Sequence, residues 1–222
     1  MTTAAPGVDT RDMLVVHNAV RREWGLAPGL VRAVEAGDTR RAEVVASHLD
    51  LQAAMLHHHH EGEDRVLWPM LLPRVPEAVA PALLALEADH AGIAQTQARV
   101  TAALTRWREG AGTEDREALA RALDELLVQI TEHLAAEEAN ALPLCASLLS
   151  PAEWHRLGQE GMAGLPKRQL PLALGSLMHG ADPQVITMML SHLPLPARVV
   201  LPRLARRAYA RYALTVYGTA TP

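Results

Sequence analysis

Apolar residues recur at three- and four-residue intervals over roughly the first two thirds of the chain, the period of an α-helix with one buried face. Met13, Leu14, His17, Val20 and Trp24 share such a face and predict a helix over 9–35, capped by Asp9 or Thr10 and bent near Gly25 and Pro28-Gly29. Gly37-Asp38 ends it, and Asp38 or Thr39 can cap a second helix over 39–72. The inner face of that helix carries His48, Leu51, Met55, Leu56, His59, Glu63, Val66 and Leu67, with Pro69 near its end. A third helix is expected over 76–108, through Leu83, Leu86, His90, Ile93, Val100 and Leu104. After a glycine-containing loop over 109–113 comes a fourth, over 113–149, through Leu119, Leu123, Leu126, Ile130, His133 and Glu137, with Thr113 as its cap. Four long amphipathic helices with short connections predict an all-α fold, an up-down-up-down four-helix bundle spanning 1–149.

The texture changes at Ser150-Pro151, a cap followed by a first-turn proline. Prolines at 166, 171, 183, 194, 196 and 202 then divide the chain into short helices. The last, over 196–217, sets Val199, Val200, Leu204, Ala208 and Tyr212 against Arg198, Arg203, Arg206, Arg207 and Arg211. Residues 150–222 read as a C-terminal helical appendage packed on the bundle.

Composition agrees with this picture. Phenylalanine is absent and alanine and leucine are abundant, which suits close-packed helices better than sheets. A net charge of -4 gives no reason to expect a nucleic-acid partner. No stretch approaches a membrane span, and the first ten residues have neither the basic nor the apolar region of a secretion signal. With one cysteine, Cys145, no internal disulfide forms, and a cytoplasmic location is expected.

The eleven histidines carry the chemistry. His59-His60-Glu61-Gly62-Glu63-Asp64 leads to Pro69, and His133-Leu134-Ala135-Ala136-Glu137-Glu138 leads to Pro143, so His-x3-Glu-acid-x4-Pro occurs twice. His17 precedes His59 by 42 residues and His90 precedes His133 by 43, so the chain reads as two copies of one helical hairpin. Residues i and i+4 lie on one helix face about 6 Å apart along the axis, so an imidazole and a carboxylate there can converge on one ion. Two such helices, each opposed by a histidine from another, surround a cavity whose carboxylates can bridge two ions. His17, His59, Glu63, His90, His133 and Glu137 are therefore the predicted metal ligands. Mixed nitrogen and oxygen donors without thiolates suit iron, manganese or zinc.

Register chooses within the run 57–60. At about 100° per residue, four consecutive histidines cannot all face inward. His59 shares its stripe with Met55, Leu56, Val66 and Leu67, and the match to His133 favours it; His60, with Asp64 one turn on, is the serious competitor. Asp64 and Glu138 are expected to support the ligands rather than bind metal. Trp24, Trp68, Trp154 and Cys145 are read as packing.

The whole pattern, over about 10–149, resembles the hemerythrin-like family of HHE cation-binding domains. The resemblance implies a four-helix bundle holding two iron ions, joined by an oxo or hydroxo bridge, with Glu63 and Glu137 bridging and each histidine on one iron. Oxygen-carrying hemerythrins have a further histidine one turn after the third-helix histidine, where this chain has Ala94. The resemblance thus implies positions open to chemistry, and a small oxidant (dioxygen, peroxide or nitric oxide) as the partner in redox or nitrosative stress handling or sensing. A di-iron oxygenase or oxidase acting on an organic substrate, with 150–222 shaping its pocket, and a non-enzymatic iron or oxygen sensor or storage module are the alternatives.

Overall fold

The computed structural model describes residues 7–222, apart from the side chain of Met162; the first six residues, part of the stretch read as lacking a secretion signal, lie outside it. Every regular element among the described residues is helical. Helix α1 (Arg11–Arg32) runs through Pro28 without interruption and ends three residues before the expected boundary. Thr10 occupies the cap position but makes no side-chain capping bond. Asp38 does cap α2 (Thr39–Gly62), accepting from the Arg41 amide at 2.9 Å.

The expected second helix is not uniform. After α2 comes a π turn, Glu63–Leu67, then α3 (Trp68–Leu71) and a 3-10 turn, Leu72–Arg74. Pro69 has no amide hydrogen for the Arg65 carbonyl and its ring crowds that oxygen, so the wider turn just before it relieves a conflict that an α-helix could not. Helix α4 (Ala80–Gly110) begins later than expected and ends at Ala111 in the left-handed conformation, φ 49°. Helix α5 starts at Thr113, which is its first residue and not its cap, and stops at Asn140. The sequence pattern continued this helix to 149, but the structure breaks it, and α6 (Leu142–Leu148) starts with Pro143 in its first turn. The two prolines ten residues after His59 and His133 thus each follow a helix irregularity.

Helix α1 packs on α2 and α5, and α4 packs on α2 and α5, so the four long helices close a ring. Its interior is two apolar layers. One gathers Trp24, Val31, Leu49, Leu104, Trp107, Leu119 and Leu126; the other gathers Met13, Leu67, Trp68, Leu71, Leu83, Leu86, Cys145 and Trp154. Between them lies a buried band of histidine and glutamate.

Beyond the bundle run α7 (Pro151–Ala163), α8 (Leu170–Met178), α9 (Pro183–Met189), a 3-10 turn (Leu190–His192) and α10 (Leu195–Tyr217). Ser150 and Glu153 form a reciprocal capping box at the start of α7, with the Ser150 amide and hydroxyl both donating to the Glu153 carboxylate. These helices pack on α1 and α2, with Val15 of α1 joined to Met178, Val185, Ile186 and Ala205. The face of α10 that packs is not the one the sequence suggested. Ala205, Tyr209, Ala213 and Val216 are buried, whereas Val199, Val200 and Leu204 stand exposed among the arginines. Small residues on the packed side let α8 and α10 approach closely at Gly175. No described helix is long and apolar enough to cross a membrane.

Candidate metal centre

Seven ionisable side chains from all four long helices meet in the polar band. His17 comes from α1, His59 and His60 from the end of α2, Glu63 from the π turn, His90 from α4, and His133 and Glu137 from α5. All are almost fully removed from solvent; the most open side chain, His59, is 10% exposed. Donor atoms of His17, His59, Glu63 and Glu137 all lie within 4.8 Å of one another, and so do donor atoms of Glu63, His90, His133 and Glu137. The two sets share both glutamates. Within them His17 Nε2 and His133 Nε2 each stand 3.6 Å from Glu137 Oε2, His59 Nε2 3.5 Å from Glu63 Oε1, and His90 Nε2 3.6 Å from Glu63 Oε2. These separations exceed a hydrogen bond and suit donors pointed at a common centre.

The fit of a cation to this site follows from what its atoms lack. His17 Nε2, His59 Nε2, His60 Nε2, Glu63 Oε2 and both carboxylate oxygens of Glu137 are buried without a hydrogen-bond partner. Orphaned polar atoms in a dry interior cost about 1–3 kcal/mol each, and a cation satisfies them together. Burial pushes the His59 and His60 imidazoles well below their ordinary range and takes His133 down to about 3, so all three are neutral, the ligating form. Burial, then the neighbouring Glu137 and Asp64, holds Glu63 well above the usual carboxylate range. Burial, then Glu138, raises Glu137 to about 8. Two carboxylates this close and this dry resist ionising together until positive charge arrives.

Carboxylates outside the band orient the rings. His17 Nδ1 lies 2.9 Å from Glu138 Oε1, which also accepts from Arg21 at 2.7 Å. These contacts hold the Glu138 carboxyl down at about 2. His90 Nδ1 lies 2.7 Å from Asp64 Oδ1. Asp89 approaches His133 Nδ1 only to 3.8 Å, too far for a hydrogen bond. Such partners fix which ring nitrogen faces inward. Asp64 and Glu138 thus lie against the outer ring nitrogens of His90 and His17.

His60 is the residue that the sequence reading set aside. Its ring stacks on His90 at 4.2 Å between centroids and meets His133 edge-on at 5.2 Å, and His60, His90 and His133 form a third convergent set. Treating 59 and 60 as exclusive overlooked that a buried band thicker than one side chain accepts two neighbours about 100° apart. Glu63 stands four residues after His59 and Asp64 four after His60, a doubled i, i+4 pattern that was visible in the sequence. Among the other members of the run, His57 is exposed and His58 half-buried. Cys145 is buried and its thiol is pushed up to about 12, so it is inert at neutral pH.

The model of one protein family, the hemerythrin HHE cation binding domain, matches residues 9–145. The chain belongs to this family. Comparison with curated proteins and with solved structures gives no match. The hemerythrin match covers the four long helices and all seven convergent side chains, and its cation binding is what the orphaned donors require. Residues 146–222 lie beyond it.

Beside the hemerythrin site lies a cavity of ≈ 40 Å³. His59 lines one part of its wall, Glu23 and Gln52 another, and Ser176 and Leu177 of α8 contribute from the C-terminal region.

Proposed function

We propose that this chain holds two iron ions, one in each four-donor set with Glu63 and Glu137 shared between them, and that it binds and reduces or senses a small oxidant there. The observation that carries the reading is the pair of donor sets with two carboxylates in common. Iron in such a site supplies electrons and a binding position for dioxygen, peroxide or nitric oxide. The protein's part is to keep the imidazoles neutral, to orient His17 and His90 through Glu138 and Asp64, and to enclose the site between two apolar layers that exclude water. Ala94, one turn after His90, leaves α4 with no second histidine at the site. Manganese or zinc satisfies the same donors, but zinc, which has no redox chemistry, does not serve the proposed reaction.

The cavity beside His59 favours a small oxidant over an organic substrate. Its ≈ 40 Å³ accommodates a diatomic or a peroxide, whereas pockets for organic ligands run to several hundred Å³. The reading takes 1–149 as an up-down-up-down bundle that carries the centre and 150–222 as a packed extension that walls the cavity, in a cytoplasmic protein whose one thiol stays buried. The test is to add peroxide or nitric oxide to iron-loaded protein and follow its near-ultraviolet and visible absorption. A spectrum that changes and then recovers with reductant supports the reading; a spectrum indifferent to both reagents refutes it.

A further inference from the structure

All three tyrosines of the chain lie on α10, and all three gather at one buried polar cluster on the flank of the bundle. At its centre is Glu23 of α1, which is 2% exposed. Its Oε1 accepts from Arg22 at 2.8 Å, Tyr209 OH at 2.9 Å and Ser176 Oγ at 3.0 Å. Its other oxygen, Oε2, accepts from Tyr217 OH. Tyr217 OH also stands 3.2 Å from His48 Nε2, and His48 Nδ1 stands 2.7 Å from Tyr212 OH.

A clamp that pins the C-terminal region to the bundle accounts for the bonds at Oε1. It does not account for what lies on either side of Tyr217 and Glu23. Outward, Tyr217 lines a surface cleft of ≈ 300 Å³ together with Leu30, Ala33 and Thr219. Inward, Glu23 lines the ≈ 40 Å³ cavity whose wall includes His59. That cavity has room for a few water molecules and four polar groups, Glu23, Gln52, His59 and Ser176, to hold them. The donors themselves are almost fully removed from solvent, and the carboxylates among them would be committed to the ions.

We propose that Tyr217 and Glu23 form a proton path from the surface cleft to the candidate metal centre, completed by water in the cavity beside His59. The inference rests on the proposed reaction with an oxidant. Reducing hydrogen peroxide to two waters takes two electrons and two protons; the iron supplies the electrons, and the protons come from solvent. In each transfer the Tyr217 oxygen takes a proton from solvent in the cleft as its own O–H bond breaks and an O–H bond forms at Glu23 Oε2. Glu23 then passes its proton to cavity water and returns to the carboxylate. Arg22, Tyr209 and Ser176 hold the carboxylate in place throughout.

The experiment compares full-length iron-loaded protein with Glu23→Gln, Tyr217→Phe and Arg41→Ala. Two rates are read: peroxide decay in water and in heavy water, and proton uptake from a weakly buffered indicator solution when the centre is chemically reduced. Iron content and circular dichroism serve as folding controls. Glu23→Gln and Tyr217→Phe are expected to slow both rates roughly tenfold or more and to raise the solvent isotope effect, with iron content unchanged. Arg41→Ala removes clamping bonds to the Thr215 and Val216 carbonyls of α10, outside the path, and should leave both rates near wild type. Wild-type rates in Glu23→Gln, or equal slowing by Arg41→Ala and Tyr217→Phe, would overturn the path and leave only the clamp. If wild type ignores peroxide, the oxidant reading fails, while proton uptake on reduction still decides the path.

Discussion

Asp64 Oδ1 lies 2.7 Å from His90 Nδ1, while the other nitrogen of that ring faces Glu63 and His133. Asp64 comes from the π turn after α2 and His90 from α4, so this contact links two helices through the ring of a candidate ligand. A half-exposed carboxylate in this position contributes little as a surface ion pair, and its value lies in aiming the imidazole. Asp64→Ala is expected to weaken metal retention by roughly 10–100-fold without unfolding the bundle. Competition against a chelator of graded strength measures this; retention equal to wild type would show that His90 needs no such support.

His60 adds an imidazole to the half of the site formed by His90 and His133. Its Nε2 is buried without a partner. His60→Ala should reduce affinity for one of the two ions more than for the other, giving biphasic chelator release, whereas His57→Ala on the exposed face should release metal as wild type does. Monophasic release from both variants would remove His60 from the site.

How much of this was legible beforehand depends on what each position senses. Leu83, Leu86, Ile93, Leu119, Leu123, Leu126 and Ile130 were readable as core because α4 and α5 keep helical period along one inward face of the bundle. The paired His-x3-Glu motifs were readable because i, i+4 spacing holds wherever a helix forms. The π turn at Glu63–Leu67 and the break at Ala141 were not, since a proline signals a conflict but not how the helix before it resolves it. The face of α10 was misread for a related reason. Ala205 and Ala213 are buried by close approach to a neighbour, and small residues give no hydrophobic signal comparable to Val199 or Leu204. Glu23 offered no periodic signal either; its partners Ser176, Tyr209 and Tyr217 are more than 150 residues away.

Gly175 sets the spacing between α8 and α10. A side-chain carbon at this position would run into the Ala205 carbonyl oxygen and the Tyr209 side chain. Gly175→Ala should therefore cost on the order of 1–3 kcal/mol, as overpacking does, and loosen residues 150–222 before the bundle. Limited proteolysis checks it: early cleavage within 164–195 with an intact iron-loaded bundle is expected, and a wild-type digestion pattern would contradict the tight crossing.

His48 gives the junction a pH dependence. Burial pushes it from an ordinary value of 6.5 down to about 4. As pH falls from 6.5 to 4, the unfolded chain takes up a proton that the folded chain refuses. Stability present above pH 6.5 is lost over that window, by a total on the order of 3 kcal/mol. His48→Gln should lose less stability than wild type between pH 7 and pH 5. Urea unfolding of the two proteins at both pH values measures the difference, and parallel losses would show that His48 takes up its proton in the fold as readily as in the unfolded chain.

The central claim is that Glu63 and Glu137 are shared by two donor sets, and metal stoichiometry tests it most directly. Purified protein, reconstituted anaerobically with ferrous iron and passed through a desalting column, should retain close to two irons per chain. Glu63→Ala and Glu137→Ala should each retain fewer. Wild-type protein that folds fully yet retains one iron, or none, would contradict the account.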